Sequence, residues 1–257
     1  MVFRSGNCLS IRLAERWLKK TRQLTAYRER PAIIDELHFT DLAGNRLEVE
    51  IVTYPHAIEC QTASGPFTVA FVDEETLMVS LPADGCGIDF LCQADNVERD
   101  RRGGILRIIG EIQRNVVYTS NAQMLQNEIE SRGEDLQQVR LRFALTSGGS
   151  LLINITPRLG FNRYLPEPAS IVLAAAKRWN DWFANVPPVT NEYRGQYYFA
   201  WCVMRMGLIS PRYFFTREAM APSKIRYVGV WQWDACFHAL AYRHVSCVWP
   251  RINFESF

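Results

Sequence analysis

The fold is decided by the stretch VRLRFAL, residues 139–145, in which apolar and polar side chains alternate. Leu151, Ile153 and Ile155 repeat the apolar residue at every second position, and residues 46–52 do the same earlier in the chain. A period of two is typical of β-strands that bury one face and leave the other in water. These segments therefore predict a sheet with one apolar face.

Similar short segments follow one another from residue 31 to residue 158. Turn-forming residues separate them, as in 41–45, 82–85 and 147–149. About nine strands at this spacing predict an antiparallel β-sandwich. Residues 121–138 are polar and charged, and we expect a loop or a short exposed helix there. The remaining strand candidates are 33–39, 57–61, 66–72, 76–81, 87–92 and 104–117.

The period of the apolar residues becomes helical after Pro166 and Pro168. Helices are predicted at 169–185, at 191–207 and from about 231 to 244, joined by loops without strands between them. The fold class is therefore α+β, with a sandwich followed by helices.

Four segments are expected along the chain. Residues 1–30 form an N-terminal arm, in which the amphipathic stretch 9–27 is a helix or a lead-in. The others are the sandwich at 31–158, a linker with a helix at 159–190, and a helical domain that begins at 191 and runs to 257.

Composition excludes several classes of protein. The net charge of +2 argues against a dedicated nucleic-acid binder. No apolar run is long enough to cross a membrane, and the N-terminus lacks a secretory signal, so we expect a cytoplasmic chain without a membrane partner. The seven cysteines follow no metal-binding or disulfide pattern and are expected as free or buried thiols. No nucleotide or flavin motif is present, so no cofactor is predicted, and the oligomeric state stays open.

The densest chemical signal is YVGVWQWDACFH, residues 227–238, in which aromatic residues surround the acid Asp234. Sugars have apolar faces and polar rims, and flat aromatic side chains beside a carboxylate suit both. The competing interpretation makes Trp231 and Trp233 core residues and Asp234 a helix cap.

The longer segment YVGVWQWDACFHALAYRH, residues 227–244, resembles the catalytic-acid segment of inverting glycoside hydrolases with an (α/α)6 barrel. Family 63 glucosidases, trehalases and mannosylglycerate-hydrolase-like enzymes belong to this group. The resemblance implies an N-terminal β-sandwich, a linker and a barrel, of which residues 191–257 would be the truncated start. It also implies that Asp234 is the general acid and that the substrate is an α-linked gluco- or manno-configured oligosaccharide or glycoside.

The resemblance further implies roles for the neighbours of the acid. Trp231 and Trp233 would shape the sugar subsite, and Tyr227 and Gln232 would contact hydroxyl groups. His238 lies one turn after the acid and would contact the substrate, although a packed helix residue is the alternative.

The general base of the group is a Glu far downstream of the acid, and no residue of this chain matches it. We therefore expect an O-glycosyl hydrolase fragment that is inactive alone. The alternative is a β-sandwich module that binds carbohydrate without cleaving it.

Overall fold

The computed structural model describes residues 2–13, 31–109, 113–144, 149–158, 160–209, 218–222 and 229–245. These residues form two compact units, and the boundary between them falls within one helix, between Ala176 and Lys177. The first unit is built of strands and the second mainly of helices.

The first unit contains fourteen strands among its described residues. They are β1 (Val2–Ser5), β2 (Cys8–Ile11), β3 (Ile34–Thr40), β4 (Glu50–Thr53), β5 (Ile58–Thr62), β6 (Gly65–Phe71), β7 (Thr76–Ser80), β8 (Cys86–Gln93), β9 (Asn96–Asp100), β10 (Gly103–Ile108), β11 (Arg114–Ser120), β12 (Met124–Gly133), β13 (Leu136–Phe143) and β14 (Ser150–Thr156).

The strands form two antiparallel sheets. One has six strands in the order β1-β2-β3-β8-β13-β12, and the other has eight in the order β4-β5-β6-β7-β14-β11-β10-β9. A single apolar core takes side chains from both sheets. Across it Phe39 stacks on Phe67 with ring centroids 4.0 Å apart, and Phe90 meets Tyr118 edge to face at 6.1 Å. The predicted β-sandwich is confirmed.

Strand β14 is buried along its whole length, because at this strand the eight-stranded sheet is covered on both faces. Leu151 and Ile153 face the sandwich core. Leu152 faces the other way, into a smaller cluster with Met78, against which Val172 of the following helix packs. The expectation of one wet face is therefore wrong for this strand.

The prediction for residues 121–138 is wrong, since they contain β12, the longest of the strands. This strand lies at the edge of its sheet and pairs with β13 alone, so most of its side chains stay in water and carry no apolar alternation. Surface ion pairs join this strand to its neighbour, as between Arg140 Nη1 and the Glu130 carboxylate, which lie 2.8 Å apart.

Two further expectations need correction in the first unit. Residues 8–11 form strand β2 and pair with β3, so the start of the stretch 9–27 is not helical. Residues 14–30 lie outside the described part of the chain. The candidate 104–117 is two strands, β10 and β11, which pair as a hairpin, and β9 was not foreseen.

The three predicted helices are confirmed. They are α1 (Pro168–Ala184), which runs from the first unit into the second, α2 (Arg194–Met206), which follows a 3-10 turn at Asn191–Tyr193, and α3 (Gln232–Tyr242). Contrary to expectation, a short ribbon lies between α2 and α3, where β15 (Leu208–Ile209) pairs with β16 (Ala219–Met220). A core of Trp182, Trp201 and Tyr242 joins the three helices. None of the helices in the described ranges is long and apolar enough to cross a membrane.

Candidate functional site

Helix α3 places the predicted acid. It begins at Gln232, and Asp234 lies in its first turn. Trp231 occupies the cap position with an extended backbone, and its carbonyl accepts a hydrogen bond from Ala235 N at 2.9 Å. Tyr227, the remaining predicted contact, lies outside the described residues.

The Asp234 side chain is half-buried and uncommitted. No side-chain hydrogen bond caps α3, and no hydrogen bond or ion pair joins the Asp234 carboxylate to another described residue. Among the described residues, Asp234 therefore makes no hydrogen bond that would cap the helix, as the competing interpretation requires. A carboxylate at this place is electrostatically favoured by the positive end of the helix dipole and stays available to a ligand.

Two large aromatic side chains stand in solvent beside it. Trp233 is 68% exposed and Phe237 63% exposed, and their rings meet edge to face with centroids 5.9 Å apart. Trp231 is 39% exposed, and Gln232 is exposed as well. Trp231 and Trp233 are therefore not core residues. Phe237 was not foreseen as a surface residue, although its position one turn after Trp233 could have indicated it.

His238 follows Asp234 by one turn. Its ring is half-buried, and its Nδ1 atom is shielded from solvent and has no hydrogen-bond partner among the described residues. Burial lowers the pKa of His238 below its ordinary value, and the negative charge of Asp234 opposes this shift. The imidazole is therefore biased towards its neutral form.

The exposed aromatics belong to an apolar stripe. Trp233, Phe237 and Leu240 lie on the side of α3 opposite Tyr242, which is fully buried. Helix α2 repeats this arrangement, because it exposes an apolar face opposite the buried Trp201. The exposed residues of that face are Phe199, Val203 and Met206.

A second carboxylate of the helical unit, Glu218, precedes β16 and is half-buried. Burial raises its pKa, and the positive charge of Arg205 partly offsets the rise. The Arg205 guanidinium lies 5.1 Å from the ring centroids of both Trp179 and Trp182. The charge of Arg205 therefore acts on Glu218, and the same guanidinium lies near two indole rings.

The first unit contains a separate polar depression of about 380 Å³ near the end of β14. Carboxylates, amides and a guanidinium line it, and its wall includes Asp73, Glu74, Arg158 and Asn162. At its edge Asn154 is 3% exposed and donates to Thr76 Oγ1 at 2.9 Å. Asn154-Ile155-Thr156 matches the sequence pattern of an N-glycosylation site, but it is part of the folded sheet and the Asn154 side chain is buried.

The cysteines confirm the expectation of free thiols as far as the structure describes them. Cys60, Cys86 and Cys92 are buried and unpaired, and burial raises their pKa values to about 11, about 12 and about 12. Cys236 is free and exposed on α3. Within the described ranges no group of three or more His, Cys, Asp or Glu side chains is arranged to hold a metal ion.

A solved structure is weakly similar to this chain. No family model and no curated protein matches it. Among solved structures, a family GH92 inverting mannosidase from Bacteroides thetaiotaomicron is similar over 60% of this chain, at 10% identity and a TM-score of 0.47. The chain spans 27% of the length of that mannosidase. A similarity of this strength establishes neither a common fold nor a common activity.

Proposed function

We propose that this chain carries the saccharide-binding and acid-bearing part of an inverting glycoside hydrolase that acts on α-linked gluco- or manno-configured substrates. One observation supports the proposal above all. Asp234, the acid of the motif, holds an uncommitted carboxylate in the first turn of α3 beside two solvent-exposed tryptophans. Exposed indole rings suit the apolar face of a pyranose, and the carboxylate suits its oxygens.

The chemistry requires two carboxyl groups about 6.5–9.5 Å apart. In the proposal Asp234 protonates the leaving oxygen, and a second carboxylate activates water on the opposite face of the sugar. We assign that second role to none of the 257 residues. Trp231 and Trp233 form the sugar platform, and Tyr227, Gln232 and His238 contact hydroxyl groups.

Calorimetric titration with trehalose, an α-glucoside panel and mannosyl- and glucosylglycerate tests the platform. Trp233→Ala should weaken binding by about tenfold or more, as expected for a central aromatic contact. The matched control is Leu240→Ala, which removes an exposed apolar side chain of the same helix face. The proposal fails if no saccharide binds, or if both substitutions have the same effect.

A turnover assay separates binding from catalysis. Each general acid or base contributes about 10²–10⁴-fold, so a chain without the base should release no free sugar at a useful rate. Robust release by the 257-residue chain would show that a base lies within it.

The polar depression of the sandwich supports a second candidate, a non-catalytic carbohydrate-binding module. Its volume of about 380 Å³ and its polar wall suit hydroxyl groups. Under this alternative Glu74→Gln weakens saccharide binding and Trp233→Ala leaves it unchanged. The titrations described above therefore distinguish the two sites.

A further inference from the structure

Asp234 and His238 are two complementary groups on α3 that the rest of the described chain leaves unused. The carboxylate of Asp234 has no hydrogen bond or ion pair to a described residue. The Nδ1 atom of His238 is buried and has no hydrogen-bond partner in the part of the chain that the structure describes. A buried polar atom without a partner costs free energy and calls for an explanation, which a functional role can supply.

Helix geometry brings the two groups together. Residues four apart lie on the same face of a helix, with Cβ atoms roughly 6 Å apart. Side chains on a helix lean towards its N-terminus, so the ring of His238 leans over the turn that holds Asp234. Of the two ring nitrogens, Nδ1 is the one nearer the backbone. Rotation of the Asp234 side chain can therefore bring a carboxyl oxygen to Nδ1.

The charges around the pair support the same arrangement. Within the described residues, Asp234 is the charge that acts on His238. Arg205 of α2 and Glu218 before β16 act on Tyr242, one turn further along α3. A neutral imidazole keeps one N–H group, which can donate to a carboxyl oxygen.

We propose that His238 is a positioning residue for Asp234, with Nδ1–H donating to one carboxyl oxygen so that the other is held towards the saccharide. This inference rests on the function proposed for Asp234, and it replaces the hydroxyl contact proposed above for His238 with a contact to the acid. No covalent step is involved, since the imidazole only orients the acid.

The side-chain nitrogens of His238, observed by NMR, test the pair without a ligand. We expect the Nδ1–H tautomer in the wild-type chain. In Asp234→Asn, which loses no hydrogen bond to a described residue, the pKa of His238 should fall because the favourable negative charge is gone. The Nε2–H tautomer together with an unchanged pKa in Asp234→Asn would overturn the inference.

Saccharide titration tests the consequence for the site. His238→Ala should weaken binding by about tenfold, the equivalent of one hydrogen bond. His238→Asn should restore most of the affinity because its amide nitrogen takes the place of Nδ1, whereas His238→Gln places its amide near Nε2 and should not. A residue that served only packing would not distinguish Asn from Gln in this way.

The outcomes separate the inference from the function on which it rests. If the wild-type chain binds saccharide and all three His238 variants bind equally well, the positioning role is wrong and the proposed function stands. If the wild-type chain binds no saccharide at all, the proposed function is wrong, and the positioning role is wrong with it.

Discussion

Gly87 should tolerate an added methyl group poorly. It lies on β8 directly between Thr40 of β3 and Arg142 of β13. A Cβ atom at this position would overlap Thr40 Oγ1 and come within 2.7 Å of Arg142 Cδ and Nη1. The Arg142 guanidinium crosses the glycine to reach Asp89, and both partners of this ion pair are 5% exposed.

The expected cost of Gly87→Ala follows from these contacts. Overpacking a filled site costs about 1–3 kcal/mol, and separating a buried ion pair costs about 3–5 kcal/mol. Because Arg142 must at least shift, we expect a loss of roughly 2–5 kcal/mol in the free energy of unfolding, a large part of the stability of an ordinary domain.

Urea denaturation followed by circular dichroism in the β-sheet region measures this loss. The matched control is Gly160→Ala in the same unit, where an added Cβ meets nothing within 4 Å. That variant should stay within about 0.5 kcal/mol of the wild type. Equal stability of the two variants would refute the described packing of Arg142 over Gly87.

Three further predictions concern the thiols and the helical unit. Mass spectrometry after iodoacetamide treatment should find Cys236 labelled in the folded chain, and Cys60 and Cys86 labelled only after unfolding. The reason is that pKa values of about 11 for Cys60 and about 12 for Cys86 keep these buried thiols protonated. Labelling of all three cysteines in the folded chain would contradict the described packing. Burial raises the pKa of Glu218 above 4.5. The contribution of this carboxyl group to the free energy of unfolding is therefore favourable below that pH and is lost as the pH rises. Urea titrations of Glu218→Gln should show a gain in stability over the wild type near pH 7 that disappears towards pH 4. A stability difference between the two proteins that does not change with pH would contradict the raised pKa of Glu218. Tyr242→Phe should cost about 1 kcal/mol, because the hydroxyl bonded at 3.0 Å to the Met204 carbonyl is lost, and a neutral result in thermal unfolding would refute that bond.

The fold was predictable from sequence wherever one physical signal dominated. Strand β13 alternates because one face packs in the core, and α2 and α3 show helical spacing because they bury Trp201 and Tyr242. Strand β12 could not be foreseen in this way, since an edge strand held by backbone pairing and surface ion pairs needs no apolar period.

The candidate site was only partly predictable. The motif predicts that Asp234 and its tryptophans lie at the start of a helix, and they lie at the start of α3. Aromatic residues at helical spacing are equally typical of the buried and of the exposed face of a helix. Only the fold shows that Phe237 and Trp233 face away from the buried side of α3. Whether Nδ1 of His238 finds a hydrogen-bond partner among the described residues depends on the folded structure around it, and no local sequence pattern indicates that it does not.

The most direct test of the account is a crystal structure of this chain with a bound α-linked saccharide. We predict that a pyranose ring lies against Trp233 and that a saccharide oxygen lies within hydrogen-bond distance of the Asp234 carboxyl group. A saccharide bound in the sandwich depression beside Glu74, with Asp234 left without contact, would contradict the account.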